Sequence, residues 1–423
     1  MKKILISVIA IFILCGVVFT QNQSGKIDLS SDGLEVFSDY SMMCPENPFD
    51  VEENEEIDLR SCNLSKYDLS DLPEEDLARL NFDDKTIWPK KMPAWLDIKK
   101  INQIGKTPGL HLRDLHNQGI TGKGVNMAII DQALSPHQEY NENLVFYKNL
   151  DKLAKEGSMH GVAVASIAVG KNVGVAPGAN LYYISANFSD FRDYSNKKAP
   201  FNANTYAESI EYLLELNKTL PKEEKISIIA MSRGFSSDDI GRERFLKVLE
   251  KAKKQNIIVF STNNVCTVSR EGFYANPDNI SFYNVPAGWF DEEGFGFYST
   301  TDRVCVPSDY RITSSPNGNS DYVAYYRGDY SWAVPYLAGI ATLAKQVNPK
   351  ITQKEFEEIA RKTAQRVQVK GKSGNTYPVS KFINPQALIQ EVKSRKNQRQ
   401  YPSEKENLNN LQKSLESLQK NKK

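Results

Sequence analysis

Histidine is scarce in this chain: four among 423 residues, His111, His116, His137 and His160, and none after position 160. A hydrolase whose histidine follows its serine nucleophile would need that serine early, and no G-x-S-x-G elbow occurs there. Asp131, His137 and His160 fit no tight metal-ligand spacing, so no metal residue is assigned. A charge of one sign is also missing. Lys and Arg number 53 against 52 Asp and Glu, so no global field draws nucleic acid. Cysteine is sparse at five, and removing Cys15 leaves Cys44, Cys62, Cys266 and Cys305. Four cysteines allow three pairings; proximity favours Cys44–Cys62, with free buried thiols an equal alternative.

The chain opens with Lys2 and Lys3, an apolar run from Ile4 to Phe19 broken only by Ser7, and the polar Thr20-Gln21-Asn22-Gln23. A positive start, an apolar segment and a polar exit read as an export signal over residues 1–21. The run is long for a signal peptide and short for a spanning helix. Cleavage, lipidation at Cys15 and retention as an anchor stay open. The expected location is extracellular or at the cell envelope, with membrane contact only through this segment.

Residues 22–96 form an acidic N-terminal segment: 22–95 hold 18 Asp or Glu against seven Lys or Arg. Within it Leu59, Leu64 and Leu69 fall five apart, each after Asp or Asn. That spacing resembles a pentapeptide solenoid fragment; an irregular acidic segment is the plainer reading. The segment is either a removable pro-segment or a permanent docking domain. Trp88-Pro89 suggests a strand or wrap against the domain downstream of it.

From Gly122 short apolar runs alternate with amphipathic stretches. Val125–Ile130, Leu181–Ile184, Ile226–Ala230 and Ile257–Ser261 have strand length. Tyr206–Leu216, Arg242–Lys254, Ser331–Gln346 and Gln353–Thr363 carry helical spacing. The pattern implies an α/β domain over residues 97–393, with a mostly parallel central sheet between helices in three layers. Residues 394–423 are a basic polar tail: from Lys393 onward nine Lys or Arg face three Glu, and Leu408, Leu411, Leu415 and Leu418 share one helical face.

Three segments carry chemistry. Met127-Ala128-Ile129-Ile130-Asp131 is an apolar strand ending in a carboxylate, able to hold an imidazole in one tautomer. His160 heads a helix of small apolar residues, which lets that helix lie close to the sheet. Ser331, in Gly328-Asp329-Tyr330-Ser331-Trp332-Ala333-Val334-Pro335, opens another tightly packed helix. There free backbone N–H groups favour developing negative charge.

In this order the segments resemble the subtilase family of subtilisin-like serine peptidases. The His segment is similar to H-G-T-x-V-A-G and the Ser segment to G-T-S-M-A-x-P-x-x-A-G. The resemblance extends to Val259–Asn264, Ala230-Met231-Ser232-Arg233-Gly234 and Gly174-Val175-Ala176-Pro177, and spans about residues 100 to 390. It implies a subtilisin-like fold, the catalytic triad Asp131, His160 and Ser331, and Asn264 as oxyanion donor. It also implies that Ser232 and Gly234 contact substrate and that a protein or peptide is cut through an acyl-enzyme. No cofactor is required; structural calcium is admitted, without a nameable ligand set. A monomer is expected. Departures are Gln132-Ala133, Val162, Ala230, Asn263 and Asp329-Tyr330 where the family has other residues. They leave an alternative: a pseudoprotease that binds without cutting, or a maturation peptidase for one cognate precursor.

Overall fold

The computed structural model describes residues 28–40, 44–52, 55–77, 79–151, 153–186, 202–284, 301–370 and 376–400. The apolar run at the start and the tail leucines lie outside the described residues.

The expected α/β architecture is present. Five parallel strands form the central sheet in the order Leu144–Asn149, Asn180–Ser185, Asn126–Asp131, Ile226–Met231, Ile258–Phe260. Alternate residues of the inner strands face two separate cores. Met127, Ile129 and Ile228 join one with the helices Met159–Val169 and Asp329–Val347. Ala128, Ile130 and Ile229 join the other with Asn204–Thr219 and Arg242–Lys254. Burial on both faces explains the unbroken apolar runs. A second sheet is ordered Gln365–Lys370, Thr376–Phe382, Val304–Pro307, Val265–Arg270, Tyr283–Asn284. It places Cys266 directly beside Cys305, both as free buried thiols.

The acidic segment is built into the domain. Strand Leu80–Asp83 pairs antiparallel with Tyr322–Tyr325, which pairs in turn with Arg311–Ser314. Ahead of it, Leu59, Leu64 and Leu69 hold a five-residue repeat: each carbonyl accepts from the amide three residues on. Their own amides donate sideways to Asn81, Ile87 and Lys91 carbonyls at 2.7, 2.8 and 3.1 Å. The three leucines are buried in one core with Phe82, Ile312, Tyr322 and Ala324. Each contributes about 1.5–3 kcal/mol of burial. A disulfide joins Cys44 to Cys62 across a Cα separation of 5.2 Å.

Residues 28–40 cross the domain as a strap. Asp32 N donates to Tyr147 O at 2.7 Å and Glu35 N to Leu134 O at 3.0 Å. Gly157 N donates to Val36 O at 2.9 Å, just ahead of the His160 helix. The sheet pairing thus runs across the 96–97 junction, and the helix Pro385–Gln400 runs across 393–394.

Candidate active site

Asp131 closes its strand at 1 % exposure, and its Oδ1 lies 2.6 Å from Nδ1 of His160. The same Oδ1 accepts the Gln132 amide at 2.8 Å, which fixes the carboxylate plane. Close approach of the helix depends on Gly161. A Cβ there would stand 2.2 Å from Gln132 O and 2.6 Å from the Tyr183 hydroxyl. Ser158 caps the helix, accepting the His160 amide at 3.2 Å, while its hydroxyl also bonds the Gln132 side chain. Gln132, a departure from the family pattern, thereby ties the two segments together. Burial disfavours the imidazolium, but the charge and hydrogen bond of Asp131 outweigh it and hold the His160 pKa above the ordinary value.

Ser331 lies in the first turn of the helix Asp329–Val347. Pro335 inside that helix has no N–H, so the Ser331 carbonyl loses its helical donor. The Ser232 hydroxyl supplies the missing bond at 2.9 Å. Trp332, the next residue, stands 5.4 Å from the His160 ring between centroids. Trp332 thus brings the start of the Ser331 helix beside His160, and the two helices pack against each other. No hydrogen bond joins Ser331 Oγ to His160 among the described residues.

The turn before the serine is unusual. Asp329 adopts φ 46°, a left-handed conformation that costs a non-glycine residue strain. Asp309 holds it: one carboxylate oxygen accepts from Gly328 N at 3.0 Å and Asp329 N at 3.1 Å. Burial and the Asp309 charge push the Asp329 carboxyl up to about 6, against the pull of Arg327. Asp309 was missed from sequence: it lies two residues beyond the strand Val304–Pro307, after Ser308, so no apolar run ends on it as one ends on Asp131.

Asn264 ends a single 3-10 turn after the strand Ile258–Phe260, and that turn packs on the Ser331 helix. Its Oδ1 accepts from Ser261 N at 3.0 Å and Ser261 Oγ at 3.1 Å, so Nδ2 is the group left to serve another partner. Gly234 borders a cavity of about 390 Å³ with Thr262, Asn263, Arg303 and Tyr330. A Cβ at Gly234 would meet Thr262 Oγ1 at 2.7 Å, so only glycine keeps this wall thin. Arg233, by contrast, is buried.

Two other histidines are tied to backbone carbonyls. His137 is fully buried, its Nε2 2.8 Å from Asp321 O, and His116 Nε2 lies 2.9 Å from Val175 O. No group of three or more His, Cys, Asp or Glu able to hold a metal ion occurs among the described residues.

Residues 122–378 match the subtilase family profile. The chain belongs to the subtilase family. Its relatives include Subtilisin BL of Lederbergia lenta, 24 % identical over 262 residues, covering 59 % of this chain and 86 % of that protein. M-protease of Shouchella clausii (strain KSM-K16) is 21 % identical over 359 residues, covering 81 % of this chain and 84 % of that protein. An "Extracellular serine protease" of Serratia marcescens is 24 % identical over 319 residues, covering 60 % of this chain and 30 % of that protein. As a subtilase, the chain has the family's α/β fold, with an acidic segment woven into the hairpin ahead of its serine.

Proposed function

We propose that this subtilase is an active, exported serine endopeptidase whose triad is Asp131, His160 and Ser331. The observation that carries the reading is the 2.6 Å contact between Asp131 and Nδ1 of His160, which leaves Nε2 as the base. Ser331 Oγ attacks the scissile carbonyl and its proton passes to His160 Nε2. Asp131 holds the tautomer and stabilises the imidazolium. The tetrahedral oxyanion is met by the Asn264 amide and the Ser331 backbone N–H. The carbon–nitrogen bond then breaks as His160 returns its proton to the leaving amine. Water, deprotonated by His160, hydrolyses the acyl-enzyme and regenerates Ser331. Gly234 and the cavity beside it receive the substrate side chain ahead of the cut.

Export is supported by the Lys2-Lys3 start with its apolar run, by the Cys44–Cys62 disulfide, and by the printed name of the Serratia relative. No helix among the described residues is long and apolar enough to cross a membrane. The test is digestion of an unfolded protein by the purified chain, read as new amino termini. The expected result is cleavage by wild type and none by Ser331→Ala. A folded wild-type protein that produces no new termini would overturn the endopeptidase reading.

A further inference from the structure

The acidic N-terminal segment reaches the catalytic imidazole through a line of side chains in contact. Arg60 is fixed by two bonds to Asp58, Nε to Oδ1 at 2.8 Å and Nη2 to Oδ2 at 2.5 Å. A forked pair of this kind sets the guanidinium plane as well as its place. Nη1 then donates to the Tyr325 hydroxyl at 3.3 Å. The guanidinium carbon lies 5.6 Å from the Tyr325 ring and 5.3 Å from the Tyr40 ring. Tyr325 meets Trp332 edge-on at 5.6 Å, and Trp332 meets His160 at 5.4 Å.

Trp332 is the weak link in this line. It is 2 % exposed, and its indole Nε1 has no hydrogen-bond partner among the described residues. Packing alone therefore sets its rotamer, between Tyr325, the α-carbon of Gly328 and His160. Whatever holds Tyr325 holds Trp332, and through it the ring that must accept the serine proton.

The same segment cannot leave without uncovering apolar surface. Leu59, Leu64 and Phe82 share a core with Ile312, Tyr322 and Tyr326 of the hairpin before the nucleophile. Asn81 Oδ1 accepts the Tyr326 amide at 2.8 Å, and Glu56 pairs with Arg327 at 3.9 Å. Losing strand Leu80–Asp83 would leave Tyr322–Tyr325 as a bare edge.

We propose that Arg60 is a positioning residue for His160, and that residues 44–96 stay in the working enzyme instead of leaving as an inhibitory pro-segment. The proposal rests on the peptidase reading, because it assigns Arg60 a task in that reaction.

The test labels the full chain with a fluorophosphonate and weighs the labelled protein under native conditions. The mass should include residues 44–96, which requires no variant. Arg60→Met should lower the maximal labelling rate about tenfold, with the probe's binding constant and the melting temperature unchanged, because small misplacements of reacting groups cost that much or more. Arg60→Lys should recover part of the rate. A merely structural Arg60 would instead lower the labelled fraction and the melting temperature together. Labelling only after residues 44–96 have gone, or a wild-type rate in Arg60→Met, would overturn this proposal and leave the peptidase reading standing. No labelling of folded protein, with or without the segment, would overturn both.

Discussion

The Ser232 hydroxyl donates to the Ser331 carbonyl at 2.9 Å, filling the place of the N–H that Pro335 does not have. A side chain expected to meet substrate is thereby engaged with the backbone of the proposed nucleophile. Ser232→Ala leaves that part-buried carbonyl without a donor, at a cost of about 0.5–1.5 kcal/mol. The expected outcome is a lower melting temperature together with slower active-site labelling. Equal values for variant and wild type would refute the link.

The pairing of His160 with Asp131 sets a pH dependence. Reaction needs neutral His160, so the labelling rate rises with pH through a midpoint above the ordinary imidazole value of 6.5. Asp131→Asn removes the charge, leaves burial unopposed and moves that midpoint down, while the plateau rate drops by roughly 10³ to 10⁴. The stability contributed by the imidazolium–carboxylate pair is present below the unfolded pKa and is lost as pH rises through the folded one. A rate profile with the same midpoint in both proteins would contradict the pairing.

Asp329 works in the opposite sense. Its carboxyl is raised from 3.8 to about 6, so the folded protein binds that proton more tightly than the unfolded chain. Ionising it costs stability; the penalty is absent below 3.8, grows up to 6 and is constant above. The partly exposed pairing with Arg327 offsets little of it. Asp329→Asn should therefore melt higher than wild type above pH 6, and the gap should close near pH 4. Parallel melting curves at all pH values would sink this account.

The disulfide closes a separation of 18 residues, for which chain entropy alone stabilises by about 3 kcal/mol. Reduction, or Cys44→Ser with Cys62→Ser, should lower the melting temperature by several degrees. Cys266 and Cys305 are buried on adjacent strands and should stay unreactive toward thiol reagents until unfolding. An unchanged melting temperature after reduction would contradict the first expectation.

The inner strands were legible because a parallel strand buried on both faces shows as an unbroken apolar run. Val125–Ile130, read from sequence, is Asn126–Asp131 in the structure, and the helices Arg242–Lys254 and Gln353–Thr363 fall at their expected bounds. The edge strand Leu144–Asn149 escaped notice because it is half exposed and mixes polar with apolar residues. Nothing local marks Leu80–Asp83 as the neighbour of Tyr322–Tyr325, since Asn81 and Tyr326 are 245 residues apart in the chain. At the candidate site, Asp131, His160 and Ser331 stand out because strand ends and helix starts have sequence signatures. The line Arg60, Tyr325, Trp332 has none; it exists only through packing between distant segments.

The central claim is that Ser331 is an activated nucleophile. Fluorophosphonate labelling followed by mapping of the modified peptide tests it most directly. The account predicts one label per molecule on Ser331, abolished in Ser331→Ala and strongly slowed in His160→Ala. A folded wild-type protein that takes no label, or takes it on another residue, would contradict it.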